Sequence, residues 1–287
     1  MRYRFIGVPM SCGSPYPGTE LACKAFSEQD FKDIIGGDDY SYTEVACSEP
    51  DGSYPKNLIA LDAVMNCCRE IYGNVAKAYD EGEFPVVIGG DHALSIGSIA
   101  ASYEKFQDEL CVVWIDAHTD INTEMTTESG YIHGMPIAAS MGICCDELTA
   151  GREKARVKGE NVFIIGARSI DKGEYDIIEE NNVNLYTMEE IREKGLENVM
   201  ERVSEKLRGK KVHLSLDVDF FDPSVFYATG YNIDEGFSLS DAESIISDIF
   251  IAADPVLFEC VEYSPAKDAD GEDFIKLKKI LKDTLRV

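Results

Sequence analysis

The chain has 287 residues, 45% hydrophobic and 28% charged, and its 53 acidic against 27 basic side chains give a formal charge of −26. This is the composition of a soluble globular protein, and so negative a charge repels phosphate backbones and argues against nucleic acid as a partner. No run of about eighteen uninterrupted apolar residues occurs, and MRYRFIGVPM alternates like a strand rather than carrying a basic then apolar leader, so neither membrane spanning nor export is expected.

Phe5-Ile6-Gly7-Val8 reads as a first strand, and Leu58, Leu61, Met65, Cys68, Ile71 and Val75 then recur at helical spacing up to the breaker Glu81-Gly82-Glu83. Further apolar runs lie at 85–88, 110–115, 162–165, 212–216 and 256–261, separated by helical patterns at 95–105, 188–207 and 240–251. Strands apolar on both faces and alternating with helices predict an α/β fold. It is a three-layer arrangement around a mostly parallel, doubly wound sheet, in one domain over 1–287.

Polar residues gather where several of these runs stop: Gly89-Gly90-Asp91-His92, Asp116-Ala117-His118-Thr119-Asp120, Asp217-Val218-Asp219 and Glu262. Ligands of open α/β sheets bind outside the carboxyl ends of the strands, which puts the function along that edge. Asp116, His118 and Asp120 have period-two spacing, so they would aim alike if the strand persisted, and Asp217 and Asp219 repeat the device. With His92 they make two imidazoles and four carboxylates, a set without thiolate that suits manganese or a similar divalent ion. One divalent ion would leave such a cluster negative and two would balance it, which predicts a binuclear centre.

A solvated loop would explain an isolated Asp-x-His-x-Asp, but three of the chain's four histidines (His92, His118 and His133) lie in such clusters. His213 sits inside an apolar run and reads as a core histidine. The stretch Asp217-Val218-Asp219-Phe220-Phe221-Asp222 begins like a calcium-binding loop, but Phe221 occupies a ligand position and Asp222 stands where the sharp turn needs glycine. A phosphotransferase Asp-x-Asp pair belongs on an earlier strand. No phosphate loop, dinucleotide fingerprint or serine elbow occurs. The nine cysteines, odd in number and without Cys-x-x-Cys, read as reduced, mostly buried thiols, and a cytoplasmic location follows from that reading.

Gly-Gly-Asp-His at 89–92, Trp-Ile-Asp-Ala-His-Thr-Asp-Ile-Asn at 114–122, Ser-Gly-Tyr-Ile-His-Gly-Met-Pro at 129–136, Ser-Leu-Asp-Val-Asp-Phe-Phe-Asp-Pro-Ser at 215–224 and Val-Glu-Tyr-Ser-Pro at 261–265 together resemble the ureohydrolase family, the arginases and agmatinases, in order and separation. The resemblance spans nearly the whole chain and implies the arginase-like fold. It also implies two Mn2+ per subunit, one held by His92, Asp116, Asp120 and Asp217 and the other by Asp116, His118, Asp217 and Asp219, with a bridging water or hydroxide between them. Catalytic roles fall to Asp120, to His133 as the proton-handling histidine, and to Glu262 as partner of the substrate guanidinium. A homo-oligomer, trimer or hexamer, is expected on the same ground.

For the substrate, the resemblance implies a small cationic guanidino compound hydrolysed to urea and an amine. Asn122 and Ser129 match positions that contact the amino-acid end, and Asp171 with Glu174 match the acidic pair near the α-amino group, which favours arginine. Tyr131 stands where arginases usually have asparagine, Tyr231-Asn232 replaces the usual Thr-Pro, and Ala93 replaces a common serine; a bulkier Tyr131 and Tyr231 would shorten the outer pocket and leave agmatine open. Arginine and agmatine stand near parity at this point. Formiminoglutamate hydrolysis on the same centre and a non-catalytic metal-binding subunit are the alternatives.

Overall fold

The structure is a computed structural model that describes residues 1–52 and 54–286. In chain order it forms β1 (Tyr3–Gly7), α1 (Glu28–Ile35), β2 (Tyr40–Glu44), α2 (Leu61–Asp80), β3 (Phe84–Ile88), α3 (Ser95–Phe106), β4 (Leu110–Ile115), α4 (Pro136–Met141) and β5 (Val162–Ile165). There follow α5 (Lys172–Glu180), β6 (Asn184–Tyr186), α6 (Met188–Lys194), α7 (Leu196–Leu207), β7 (Lys211–Asp217), α8 (Leu239–Ala252), β8 (Asp254–Val261) and α9 (Glu272–Leu285). The eight strands build one sheet in the order β2-β1-β3-β8-β7-β4-β5-β6, and every neighbouring pair is parallel, so the expected mostly parallel sheet is wholly so.

Alternation along each strand feeds two separate cores. Val112 and Trp114 of β4 join Val64, Ile71 and Ile99 of α2 and α3 on one face, whereas Cys111, Val113 and Ile115 join Val203, Ile245 and Leu281 of α7, α8 and α9 on the other. This is the three-layer arrangement. The edge strands β2 and β6 escape the sequence pattern because Tyr-Ser-Tyr-Thr-Glu and Asn-Leu-Tyr are half-exposed and carry no apolar run. The expected helix over 188–207 is two helices, broken at Gly195, whose φ of 83° and ψ of 140° lie outside helical space.

Register places the chemistry. Ile88 pairs with Cys260, Cys260 with Leu216, and Leu216 with Ile115, so the four motif-bearing strands β3, β8, β7 and β4 are adjacent and end level with one another. Among the described residues no helix is long and apolar enough to cross a membrane. Seven cysteines are free, but Cys47 and Cys67 are joined as a disulfide with their Cα atoms 4.9 Å apart. The all-reduced reading therefore needs correction for this pair, which meets because the segment after β2 folds against α2, a proximity that sequence spacing does not reveal.

Below the strand ends, His213 of β7 is fully buried, as expected of a core histidine, with Nδ1 2.9 Å from Ser102 Oγ and Nε2 3.2 Å from Glu259 Oε1. Ser95 and Ser98 of α3 donate to the two Glu259 oxygens at 2.5 and 2.6 Å. Burial alone would raise this carboxyl, but His213 and the two hydroxyls outweigh it and hold Glu259 down to about 2. A carboxyl held low stabilises the fold above its ordinary range and loses that contribution as pH falls toward about 2. Glu259→Ala is expected to cost about 3–5 kcal/mol at neutral pH, because it strands a buried partner. In denaturant melts the difference from the unsubstituted chain should narrow below the usual carboxylate range; a gap independent of pH would contradict this role.

Candidate metal centre

The Gly89-Gly90 turn ends β3 with both residues at positive φ, 100° and 76°. A Cβ on Gly90 would approach Leu94 Cδ2 to 3.0 Å and the carbonyl oxygens of Val8 and Met10 to 3.1 and 3.2 Å, so the tight turn into His92 needs glycine. Asp91 is buried, accepts from the amides of Gly13 and Ala93 at 2.8 and 3.0 Å, and is pushed up to about 7 by burial and the nearby Glu262. The His92 imidazole stacks on Trp114 at 3.8 Å and 9°, and its Nε2 lies 2.7 Å from Ser215 Oγ. Both contacts leave Nδ1 facing the carboxylates.

That nitrogen lies 3.0 Å from Asp116 Oδ2, 3.2 Å from Asp120 Oδ2 and 3.2 Å from Asp217 Oδ2. His118 Nδ1 lies 2.9 Å from Asp219 Oδ2 and 3.5 Å from Asp116 Oδ1. Two overlapping triplets, His92-Asp116-Asp120 and Asp116-His118-Asp219, therefore bring possible ligand atoms within 4.8 Å of one another, with Asp116 common to both. The convergence does not come from a persisting strand. β4 ends at Ile115, the chain bends, and Asp120 turns back at a φ of 46°, a left-handed conformation rare outside glycine.

Charge explains what this cluster lacks. Burial and the neighbouring carboxylates push Asp217 well above the usual carboxylate range and Asp219 up to about 6. Burial disfavours charge on His92 and His118, yet the encircling carboxylates outweigh it and hold both imidazoles well above their ordinary value. Protons thus gather where positive charge is needed, and an oxygen and imidazole donor set in which the buried His92 Nδ1 and Asp116 Oδ2 stand close without a well-aligned hydrogen bond fits hard divalent cations.

Glu262 follows β8 at a φ of 63°. Its Oε1 accepts the His92 amide at 2.9 Å, while Oε2 is buried and without a hydrogen-bond partner. His133 Nδ1 stands 3.8 Å from Oε1. Outward lies a cavity of about 430 Å3 whose lining includes His118, Asp120, Asn122, Ser129, His133, Asp171, Glu174 and Tyr231. Asn122 Nδ2 donates to Asp171 Oδ2 at 2.9 Å, and Glu174, pushed up to about 7 by burial, accepts the Ile121 and Asp171 amides at 3.1 and 2.8 Å. Tyr131 is not part of this lining; its ring meets His133 edge-on at 6.4 Å.

Three supporting residues escaped the sequence reading. Ser215 and Trp114 each precede an aspartate by two positions, a spacing that could have found them. Arg168 had none: its Nη2 donates to the carbonyls of Asp219, Ile233 and Phe221 at 2.8, 2.9 and 3.2 Å, clamping the loop of one acidic residue to the loop after Tyr231.

The chain matches the arginase family over residues 1–283. It is 35% identical over 268 residues to the arginase of Bacillus subtilis, covering 92% of this chain and 90% of that protein, and 32% identical over 256 residues to mouse arginase-1, covering 85% and 79%. The crystal structure of Bacillus cereus arginase superposes with a TM-score of 0.91 at 32% identity over 99% of this chain and 98% of the other. Fold and relatives thus define a hydrolase acting on guanidino amidines, with side-chain clusters that could hold metal ions. The chain belongs to the arginase family.

Ser215→Ala removes the bond that orients His92 without removing a candidate ligand. Divalent-ion affinity, read by competition with a chelating dye, is expected to fall about 10–100-fold, as for other partners of metal-binding histidines. Unchanged affinity would show that Trp114 alone fixes the ring.

Proposed function

We propose that this protein hydrolyses the guanidinium group of L-arginine to urea and L-ornithine. The single observation carrying the reading is the half-anchored Glu262, one oxygen on the amide of His92 and the other buried and without a hydrogen-bond partner. A planar cation with paired N–H groups satisfies such an oxygen by charge-assisted hydrogen bonds. Two manganese ions are our choice for the cluster, one taken by His92, Asp116, Asp120 and Asp217, the other by Asp116, His118, Asp217 and Asp219. When bound, they would acidify water at the cavity floor to a nucleophile usable at neutral pH.

The side chains then have separate tasks. Glu262 holds the guanidinium carbon in place, converting attack into a positioned event. Asp120 orients the attacking water. The water oxygen forms the new C–O bond, the C–N bond to the amine breaks with its electron pair leaving on nitrogen, and His133 delivers the proton that makes this nitrogen a leaving group. The proton released by the carbon-bound hydroxyl as urea forms restores the charge balance. Burial opposes charge on His133, but Glu262 outweighs it and raises its proton affinity, which suits a donor. Asn122 and Ser129 offer donors for a carboxylate, and Asp171 and Glu174 suit an α-ammonium. Arginine is favoured over agmatine by these groups and by the named relatives. Agmatine is the second reading, because the cavity lining contains no Lys or Arg to pair with a carboxylate.

The deciding experiment loads the protein with manganese and measures urea together with ornithine or putrescine from each substrate. Urea and ornithine from arginine support the proposal; putrescine from agmatine alone transfers it to the second reading, and urea from neither removes both. Asp217→Ala is expected to lose metal. His133→Asn should keep metal while kcat falls about 10²–10⁴-fold, the usual contribution of a positioned acid.

A further inference from the structure

The His133 ring is placed chiefly by aromatic contacts. Its amide donates to the Gly13 carbonyl at 3.0 Å, but Nδ1, at 3.8 Å from Glu262, is beyond hydrogen-bond range. What meets the ring itself is Tyr231, nearly parallel at 17° with centroids 5.6 Å apart, and the edge of Tyr131. Tyr231 is braced in turn. Tyr16 packs edge-on against it at 4.6 Å and 87°, and Lys267 Nζ lies 5.6 Å over the Tyr16 ring while donating to the carbonyls of Thr229 and Gly230 at 2.6 and 3.2 Å. Tyr231 also meets His118 in an edge contact at 5.5 Å and 70°, so one phenol ring touches both imidazoles.

We propose that Tyr231, backed by Tyr16 and Lys267, is a positioning residue for His133: the stacked ring fixes the imidazole plane and keeps Nδ1 directed at Glu262 and the departing amine. Sequence reasoning gave Tyr231 to the substrate tail; its ring contacts give it to the proton donor. An imidazole free to rotate would spend part of its time with the proton directed elsewhere. A parallel aromatic face removes that freedom without competing for either ring nitrogen. The role rests on the assignment of His133 as proton donor in the proposed reaction.

The test uses the chain's four histidines, few enough for each ring to be resolved by carbon-edited proton NMR. In the full chain loaded with zinc, which is diamagnetic, the His133 signals are those absent from the His133→Asn spectrum. A stacked phenol shields ring protons, so Tyr231→Thr should move the His133 signals downfield and Tyr231→Phe should return them. In the manganese enzyme Tyr231→Thr should lower kcat about tenfold with KM little changed, since a misdirected acid loses part of the 10²–10⁴-fold contribution of a positioned one. Tyr231→Phe should recover most of that loss. His133 signals that do not move in Tyr231→Thr, or a loss confined to KM, would overturn the proposal. If the unsubstituted enzyme forms no urea, the functional reading fails, and the NMR comparison still decides whether Tyr231 holds the ring.

Discussion

Carboxylates buried together repel unless positive charge lies among them, and here Asp116, Asp120, Asp217 and Asp219 are all buried at the ends of adjacent strands. Folding tolerates this only because the chain supplies partial compensation at every side. Backbone amides of Ala117, His118 and Asp219 donate to the cluster, two imidazoles are drawn toward protonation, and Arg168 clamps the surrounding carbonyls. Two divalent cations displacing these protons would balance the four carboxylates. On the proposed reading, metal binding and the stability of this end of the sheet would be coupled, because ions that prepare water would also relieve the repulsion.

The sheet makes the convergence possible. Parallel register brings Ile88, Cys260, Leu216 and Ile115 to one level, so residues distant in the chain leave the sheet side by side. The apolar runs and the polar residues that end them were legible in the sequence, as were the six inner strands, because burial leaves a nearly continuous hydrophobic signature. The half-exposed edge strands leave none. Nor does the amphipathic α9, whose Leu277, Ile280 and Leu281 face the core among lysines, stand out before the sheet it covers is known.

At the site, residue types were legible and conformations were not. Asp120 and Glu262 both sit at positive φ, where a non-glycine residue is held only by its surroundings, and nothing in Asp-Ile-Asn or Val-Glu-Tyr announces it. Period-two spacing correctly grouped Asp116, His118 and Asp120 but for a reason the backbone does not honour, since the strand stops before the first of them. Arg168 illustrates the opposite case. It touches only backbone carbonyls, so neither a motif nor a partner residue marks it.

The two ends of the cavity are built differently. On the proposed reading, strand ends supply His92, Asp217 and Glu262 to the guanidinium head, so their relative positions are set by ladder hydrogen bonds that substitutions in the mouth do not reach. Segments over 121–131, 168–171 and 229–233, with the first turn of α5, would supply the groups facing the tail, and their side chains can change without disturbing the sheet. Tyr231 crosses this boundary. It stands on a tail-side loop but reaches both His118 and His133, so on the proposed reading a substitution there that alters tail recognition would also alter the proton donor. Substrate preference and turnover would then be coupled through one aromatic ring rather than distributed over independent parts of the pocket.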